Sequence, residues 1–157
     1  MLKIVILLMA FSVYNRVMAA CPNGTYAIPS GLGSKHDCVA LVTTGDNLVS
    51  AQYHCRYDYG GNLMSIPNAF VNTFLADLIE SMFPNQMFLI GTTNLIGSVW
   101  KNIDDGQNTT FTNGGAFPPY TSYCAVLHAD GHWGFGWAFY SHPYICGFSN
   151  TSPSETG

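Results

Sequence analysis

The spacing of apolar side chains changes about halfway along the chain, from helical in the first part to strand-like in the second. In the stretch TTGDNLVSAQYHCRYDYGG, Leu48, Ala51 and Cys55 stand at i, i+3 and i+7, which is the spacing of one buried helix face. Thr44 or Asp46 is the predicted N-cap, and the glycine pair that closes the stretch is the predicted end. We therefore expect a helix whose Cys55 faces the core.

A second, longer helix is predicted in the stretch SIPNAFVNTFLADLIESMFP. Its large apolar side chains recur every three or four positions, and Pro84 follows its end. The predicted buried face consists of Phe70, Val71, Phe74, Leu75, Leu78, Ile79 and Met82.

Beyond this helix, short apolar runs alternate with turn signals, which is typical of β-strands. Asp104-Asp105-Gly106 and Ala129-Asp130-Gly131 are predicted turns. Two early helices followed by a strand-rich half predict the α+β class. The candidate strands are 87–91, 98–103, 109–112, 122–127 and 143–148.

The start of the chain has the layout of a signal peptide, with a lysine near the beginning, an apolar run from Ile4 to Val13 and a small-residue exit. The run is too short to span a bilayer, which takes roughly 20 apolar residues. We expect a cleaved signal, a secreted extracellular chain and no membrane span.

An uncleaved anchor is a weaker interpretation. Lipid attachment at Cys21 is also weaker, because Met18 stands where such a motif normally has Leu. The predicted segments are a signal peptide over 1–20, a domain over 21–148 and a flexible tail over 149–157.

Charge excludes one class of partner. Removal of the predicted signal leaves three basic residues against nine acidic ones, a net charge of −6. Nucleic-acid binding needs a basic surface that displaces counterions from phosphates, so we expect no binding of nucleic acid.

Only 9% of the residues are charged. Glycans at three Asn-x-Ser/Thr sequons, Asn23, Asn108 and Asn150, are predicted to hydrate the surface instead.

Several segments resemble the C-type lectin-like domain in their order and spacing, over about 21–147. CPNGTY…CVALV is similar to the amino-terminal disulfide hairpin of the long form of that domain. AQYHC…GGNLMSIPNAFVNTFL is similar to its first helix, its Gly-Leu-x-x-Ile step and its second helix. FLIG resembles the Trp-Ile-Gly core strand, with Phe88 in place of Trp.

The second half of the chain continues the resemblance. SVWKNIDDGQNTTFTN is similar to the Trp-x-x-x-Asp-Gly run before the long loop of the family, with one extra residue. YCAVLHADGHWGF…PYIC is similar to the closing hairpin and the terminal cysteine strand. The resemblance implies an α+β C-type lectin-like fold, with two helices, antiparallel sheets, a long loop region and disulfide staples.

The five cysteines follow the family pattern with one departure. The resemblance implies the pairs Cys21–Cys38 and Cys55–Cys146, in the oxidising compartment that favours disulfides. The second pair closes a loop of about 90 residues, worth roughly 4–5 kcal/mol in chain-entropy terms. The family partner of Cys124 falls at Ala138, so Cys124 is predicted to be a buried free thiol. An intermolecular disulfide is the alternative.

Many members of the family bind sugars through calcium, held by an acidic-or-Gln-Pro-Asn/Asp triplet and by Asn-Asp after the hairpin Trp. This chain has Phe117-Pro118-Pro119-Tyr120 at the first place and Trp133-Gly134-Phe135 at the second. Calcium takes 6–8 oxygen ligands, several of them from carboxylates. We therefore expect no calcium-dependent sugar site, no metal and no cofactor.

Two histidines allow a different metal hypothesis. His128 and His132 flank a predicted turn, and Asp130 lies between them as a possible third zinc ligand. No further Cys or His is placed to complete a tetrahedron. The interpretation that we favour is a pair of solvated histidines.

The segment DGHWGFGWAFYSHPYIC is rich in aromatic residues. Trp133 matches a core tryptophan of the family. Successive strand side chains alternate in direction, so the other rings cannot all face inward. Some of them are predicted to fill the space left at Ala138, and a minority to form an exposed face. The ligand-binding candidates are Tyr120, Phe135, Trp137 and Tyr140.

Catalysis is not expected. The adjacent Asp104 and Asp105 belong to a turn, Glu80 lies on a solvated helix face, and no nucleophile motif is present. Two function hypotheses remain. The first is a secreted module that recognises a glycan or protein without calcium, with innate defence implied by the resemblance alone. The second is an extracellular protein-interaction module that binds no sugar.

Overall fold

The computed structural model describes residues 20–150. All but the last residue of the predicted signal segment lies outside this range, as do residues 151–157 of the predicted tail. Within the described range, no helix is both long enough and apolar enough to cross a membrane.

Residues 20–150 form two helices and eight strands, as expected for the α+β class. The elements are β1 (Tyr26–Ala27), β2 (Cys38–Asp46), α1 (Leu48–Tyr59), β3 (Asn62–Leu63), α2 (Ala69–Met82), β4 (Met87–Thr93), β5 (Lys101–Asn102), β6 (Tyr123–His128), β7 (Trp133–Trp137) and β8 (His142–Phe148).

The strands form one sheet in the order β1-β2-β8-β4-β6-β7, with β3 added to β8 and β5 added to β4. All pairs are antiparallel except β4 with β8, which run parallel with Leu89 opposite Tyr144. The predicted antiparallel arrangement is confirmed at the other strand pairs, and β4 with β8 is the exception. The last strand inserts between β2 and β4, so β8 lies in the middle of the sheet and joins its two halves.

Helix α1 begins later than the sequence pattern predicts, by one residue from Asp46 or by three from Thr44. Its N-cap is Asn47, whose Oδ1 accepts hydrogen bonds from the backbone N–H groups of Val49 and Ser50. The predicted N-caps Thr44 and Asp46 are wrong, because both belong to β2. The helix ends at Gly60, which takes the left-handed conformation that glycine tolerates best.

Helix α2 buries a narrower face than predicted. Asn68 caps its start. Phe70 and Met82 were expected in the core, yet they are 71% and 47% exposed. The buried side is shifted toward the β6–β7 turn, which packs against small and polar side chains of the helix. The buried helix residues are Val71, Asn72, Leu75, Ala76 and Ile79.

Two predicted strands are wrong in extent. Only Lys101–Asn102 of the predicted strand 98–103 pairs with β4. The predicted strand 109–112 does not form, and the isolated bridge nearest to it pairs Asn108 with Lys101. The strand predictions omitted β1, β2, β3 and β7.

The core lies on both faces of the sheet, because alternate residues of each strand point to opposite sides. Phe88 and Ile90 of β4 face the cluster beneath α2, whereas Leu89 faces the cluster beneath α1. The disulfide Cys55–Cys146 joins α1 to the central strand β8, with 5.2 Å between its Cα atoms. A second disulfide, Cys21–Cys38, ties the amino-terminal segment to β2. These are the two pairs that the family resemblance implies.

Candidate functional site

Three aromatic residues lie on one face of β7. Trp133, Phe135 and Trp137 alternate with two glycines, so their side chains point to the same side of the strand. Their burial decreases along the strand. Trp133 is 4% exposed, Phe135 is half-buried and Trp137 is 47% exposed. The three residues form an aromatic row that is covered at one end and open at the other.

The cover is supplied by the long loop, residues 103–122, and by Trp100 beside it. Phe111 packs edge-on against Trp133, with 5.8 Å between ring centroids. Phe117 stacks on Trp100 at 4.8 Å, and Phe135 meets both of these rings edge-on at 5.6 and 5.1 Å. Such offset and edge-to-face arrangements are favourable beyond the area that they bury.

Hydrogen bonds hold the long loop over the row. The backbone N–H of Trp133 donates to the carbonyl of Asn113 at 2.6 Å. The indole Nε1 of Trp100 donates to the carbonyl of Pro118 at 3.2 Å. At the open end, the Asn94 side chain donates to the carbonyl of Tyr120. The loop has almost no strand structure, so these bonds and the stacked rings fix its path.

The open end of the row forms an exposed aromatic surface. We use the name aromatic surface for Tyr120, Trp137, Phe139 and Tyr140, all of which are exposed. A shallow depression of about 450 Å³ runs between Tyr120 and Trp137. Its floor is Tyr123, whose ring centroid lies 5.1 Å from that of Trp137.

The backbone places these rings through tight local bonds. The N–H of Ala138 donates to the carbonyl of Ser122 at 2.9 Å, which joins the end of β7 to the start of β6. The N–H of Tyr140 donates to the carbonyl of Trp137 at 3.0 Å and closes the following turn. Ser122 has a φ of 71°, the only positive φ of a non-glycine residue among those described. Such a conformation is uncommon for serine, and strained positions cluster at binding sites.

No protein-family model matches the sequence, and no curated protein does. Solved structures do match. Human lithostathine superposes with a TM-score of 0.70 at 23% identity, covering 85% of this chain and 94% of that one. The chain has the C-type lectin-like fold.

Two further solved structures share this fold. The carbohydrate-recognition domain of the mouse scavenger receptor C-type lectin matches with a TM-score of 0.66 at 19% identity, covering 81% of this chain and 96% of that one. A calcium-independent type II antifreeze protein matches with a TM-score of 0.63 at 20% identity, covering 81% and 92%. A lithostathine, a carbohydrate-recognition domain and an antifreeze protein share this fold, so the fold alone does not identify a ligand.

The two segments that the family resemblance aligns with calcium ligands meet in this chain, and aromatic rings lie at their contact. Phe117 from the long loop and Phe135 from β7 are in edge-to-face contact there. Phenyl rings supply no oxygen, and calcium needs 6–8 oxygen ligands. The residues at this place therefore do not fit a calcium ion.

The histidine hypothesis is not supported by the geometry. His132 Nδ1 lies 3.3 Å from Asp130 Oδ2, and both side chains are about two-thirds exposed. The backbone N–H of His132 also donates to Asp130, and this bond lowers the pKa of the Asp130 carboxyl below its usual value. Between residues 20 and 150, no three His, Cys, Asp or Glu side chains are grouped so that they could hold a metal ion.

The predicted ligand-binding residues separate into two groups. Tyr120, Trp137 and Tyr140 lie on the aromatic surface, whereas the half-buried Phe135 lies beneath the long loop and packs against the core. Phe139 belongs to the surface and was absent from the predicted set. It directly follows Ala138, where the strand has ended, so the alternation rule no longer indicates its direction.

Cys124 is unpaired and buried on the face of the sheet beneath α1. Its Sγ donates to the carbonyl of Gly136 at 3.5 Å. Burial raises the pKa of this thiol to about 12, so it stays protonated at neutral pH. A buried, protonated thiol does not favour the alternative of an intermolecular disulfide.

The predicted glycosylation sites differ in exposure. Asn23 and Asn108 are exposed, whereas Asn150 is half-buried and its backbone N–H donates to Asp37. The remainder of the third sequon, Thr151-Ser152, lies outside the described residues. Glycosylation at all three asparagines remains a prediction.

Proposed function

We propose that this protein is a secreted binding protein that recognises a neutral glycan through the aromatic surface, without calcium and without catalysis. The observation that carries this proposal is the difference in burial between aromatic rings on the same face of β7. The rings at the usual place of calcium are packed together, while the rings at the end of the row are left exposed.

Exposed rings of this kind suit sugars. The C–H face of a pyranose ring is apolar, so it can stack on the flat face of Trp or Tyr. Thr121 and Ser122 line the depression beside the rings and offer hydroxyl groups at its edge. Among the residues of the structure that line the depression, none is charged, which favours an uncharged glycan.

A protein ligand is the second candidate. Trp and Tyr are enriched among the residues that carry most of the binding energy of protein interfaces. Phe139 has no polar group and is exposed on the same surface, which favours an apolar contact. Innate defence is the setting that we propose for either ligand, and its support is the family resemblance alone.

A glycan array, run with and without a calcium chelator, tests the proposal. We expect sugar binding that the chelator does not change. Trp137→Ala should weaken it about 30-fold, the loss that corresponds to a 2 kcal/mol hot spot. Phe70→Ala is the matched control, because it removes a ring that is even more solvent-exposed than Trp137 but lies on α2.

Two results would contradict the glycan proposal. Sugar binding that the chelator abolishes would show that calcium carries recognition. A blank array, together with cell-surface binding that survives glycosidase treatment and is lost in Trp137→Ala, would favour the protein ligand.

Secretion and processing form a separate part of the proposal. Expression in a eukaryotic secretory system should release a chain that begins at Cys21 and becomes smaller after peptide N-glycosidase treatment. N-terminal sequencing and the mass before and after deglycosylation measure this directly. A chain that is retained with its first residues intact would contradict the predicted signal.

A further inference from the structure

A groove separate from the aromatic surface lies between the start of α1, the end of β4 and the segment that leads to the long loop. Its volume is about 310 Å³, at the lower end of the range of small-molecule sites. Six aliphatic side chains form most of its wall, and we call it the aliphatic groove. They are Leu48, Val49, Leu95, Ile96, Val99 and Ile103.

The aliphatic groove exposes more apolar surface than the fold requires. Ile96 is 91% exposed, and Val49 and Val99 are about half exposed. Leu48, by contrast, is fully buried and forms the base. In the part of the chain that the structure describes, no aromatic ring lines the groove. Its wall is therefore suited to a flexible aliphatic chain, and it lacks the flat faces on which a sugar stacks.

One charged group lies in the wall of the groove. Lys101 lines it, and among residues 20–150 this lysine forms no ion pair. Lys35, in contrast, bonds to Asp105, and this bond raises the pKa of Lys35 and lowers that of Asp105. No acidic side chain of the described range lines the groove. The local charge is therefore positive, although the chain as a whole is acidic.

Each of the other polar side chains of the wall makes at least one hydrogen bond within the protein. Gln52 donates to Asn62 and accepts from the backbone of Leu63. Asn102 accepts from the hydroxyl of Thr109 at 3.0 Å, and Thr93 donates to the carbonyl of Tyr123 at 2.6 Å. Lys101 is therefore the polar side chain that is free to meet a ligand.

We infer that the aliphatic groove binds a single-chain amphiphile with an anionic head, such as a fatty acid. The chain lies against Val49, Ile96 and Val99, and the head pairs with Lys101. This inference is independent of the proposed glycan function, because it uses a different surface.

Isothermal titration with octanoate and decanoate, below their aggregation concentrations, tests the inference. Each methylene that leaves water should tighten binding about fourfold, so decanoate should bind about 15-fold tighter than octanoate. Octanol and decanol serve as neutral probes of the same chain length. They should bind more weakly than the acids, and added salt should reduce that difference.

Two surface variants locate the site, and two others are controls. Ile96→Asp should weaken decanoate binding at least tenfold. Lys101→Met should remove the preference for acids over alcohols and leave decanol binding unchanged. Phe70→Asp is the matched control, because it places the same charge at another exposed apolar position and should leave binding unchanged. Trp137→Ala should also leave it unchanged, which separates this test from that of the glycan proposal.

Several results would overturn the inference. One is the absence of heat with decanoate at two well-separated temperatures, since burial of an aliphatic chain changes the heat capacity. Another is equal weakening in Ile96→Asp and Phe70→Asp. Binding of anionic lipid vesicles that Ile96→Asp abolishes, without binding of decanoate, would assign the groove to a membrane surface. A concentration-dependent dimer that Ile96→Asp dissociates, measured by light scattering, would assign it to a second copy of the chain.

Discussion

The two ends of β7 carry the same kind of side chain but differ in environment. Trp133 is enclosed by Phe111 and by the buried Asn72, whose Oδ1 accepts from the indole Nε1 at 2.7 Å. Trp137, four residues further along the same face, has Tyr123 beside it and solvent beyond. The difference arises in the long loop, which covers the first part of the row and turns away before the second. The loop, and not the strand, decides which rings serve stability and which are free for recognition.

The largest expected effect is on stability at the covered end. Trp133→Ala should lower the free energy of unfolding by about 3–5 kcal/mol, the usual cost of removing a large core ring. Trp137→Ala should change it by less than about 0.5 kcal/mol, as for surface substitutions in general. Equilibrium unfolding in guanidinium measures both. Similar losses in the two variants would contradict the comparison.

A new disulfide should stabilise the open end of the aromatic row. Ala138 and Cys124 are both buried in the cluster beneath α1, and the resemblance places the missing family cysteine at Ala138. Ala138→Cys should therefore bond to Cys124 and raise the free energy of unfolding by up to about 3 kcal/mol. Thiol titration under denaturing conditions should find no free thiol, compared with one in the parent chain. The double variant Ala138→Cys/Cys124→Ala should show no gain in stability.

Loss of the Asn72 hydrogen bonds between α2 and the β6–β7 turn should lower the free energy of unfolding by a smaller amount. The Asn72 side chain accepts from Trp133 and donates to the carbonyl of Gly131. Asn72→Ala leaves the buried indole N–H without its partner, which should cost about 1–3 kcal/mol. Chemical denaturation measures the loss. Thr73→Ala, at an exposed neighbouring position, is the control and should be close to neutral.

The smallest expected effect is on tryptophan fluorescence, and it does not depend on any change in stability. Two of the three tryptophans, Trp100 and Trp133, are buried, and Trp137 is exposed. Iodide should therefore quench only part of the fluorescence of the native protein. Trp137→Phe should remove the accessible fraction. Continued quenching in that variant would place a second tryptophan in solvent.

The sequence predicts the scaffold well because the scaffold depends on local pattern. Cys55 follows the helical spacing of Leu48 and Ala51, so its inward direction is evident before its partner Cys146 is considered. The error at Phe70 has a tertiary cause. Its spacing fits the apolar face of α2, but the β6–β7 turn packs on the side of Asn72 and Ala76 instead.

The candidate sites are less predictable because they depend on the loop. Phe135 and Trp137 have the same strand direction and similar chemistry, and only the position of Phe117 separates the packed ring from the exposed one. The wall of the aliphatic groove is formed by the start of α1 and by segment 93–106, which is distant from α1 in the sequence. No periodicity within either segment indicates that the two meet.

The Cys55–Cys146 bridge has a consequence for proteolysis. The ring that it closes contains α2, the long loop and the aromatic surface. Gly114-Gly115, on the exposed part of the loop, lies inside that ring. A protease that cuts there produces two fragments that remain one covalent molecule, which migrates as a single band until a reducing agent separates it.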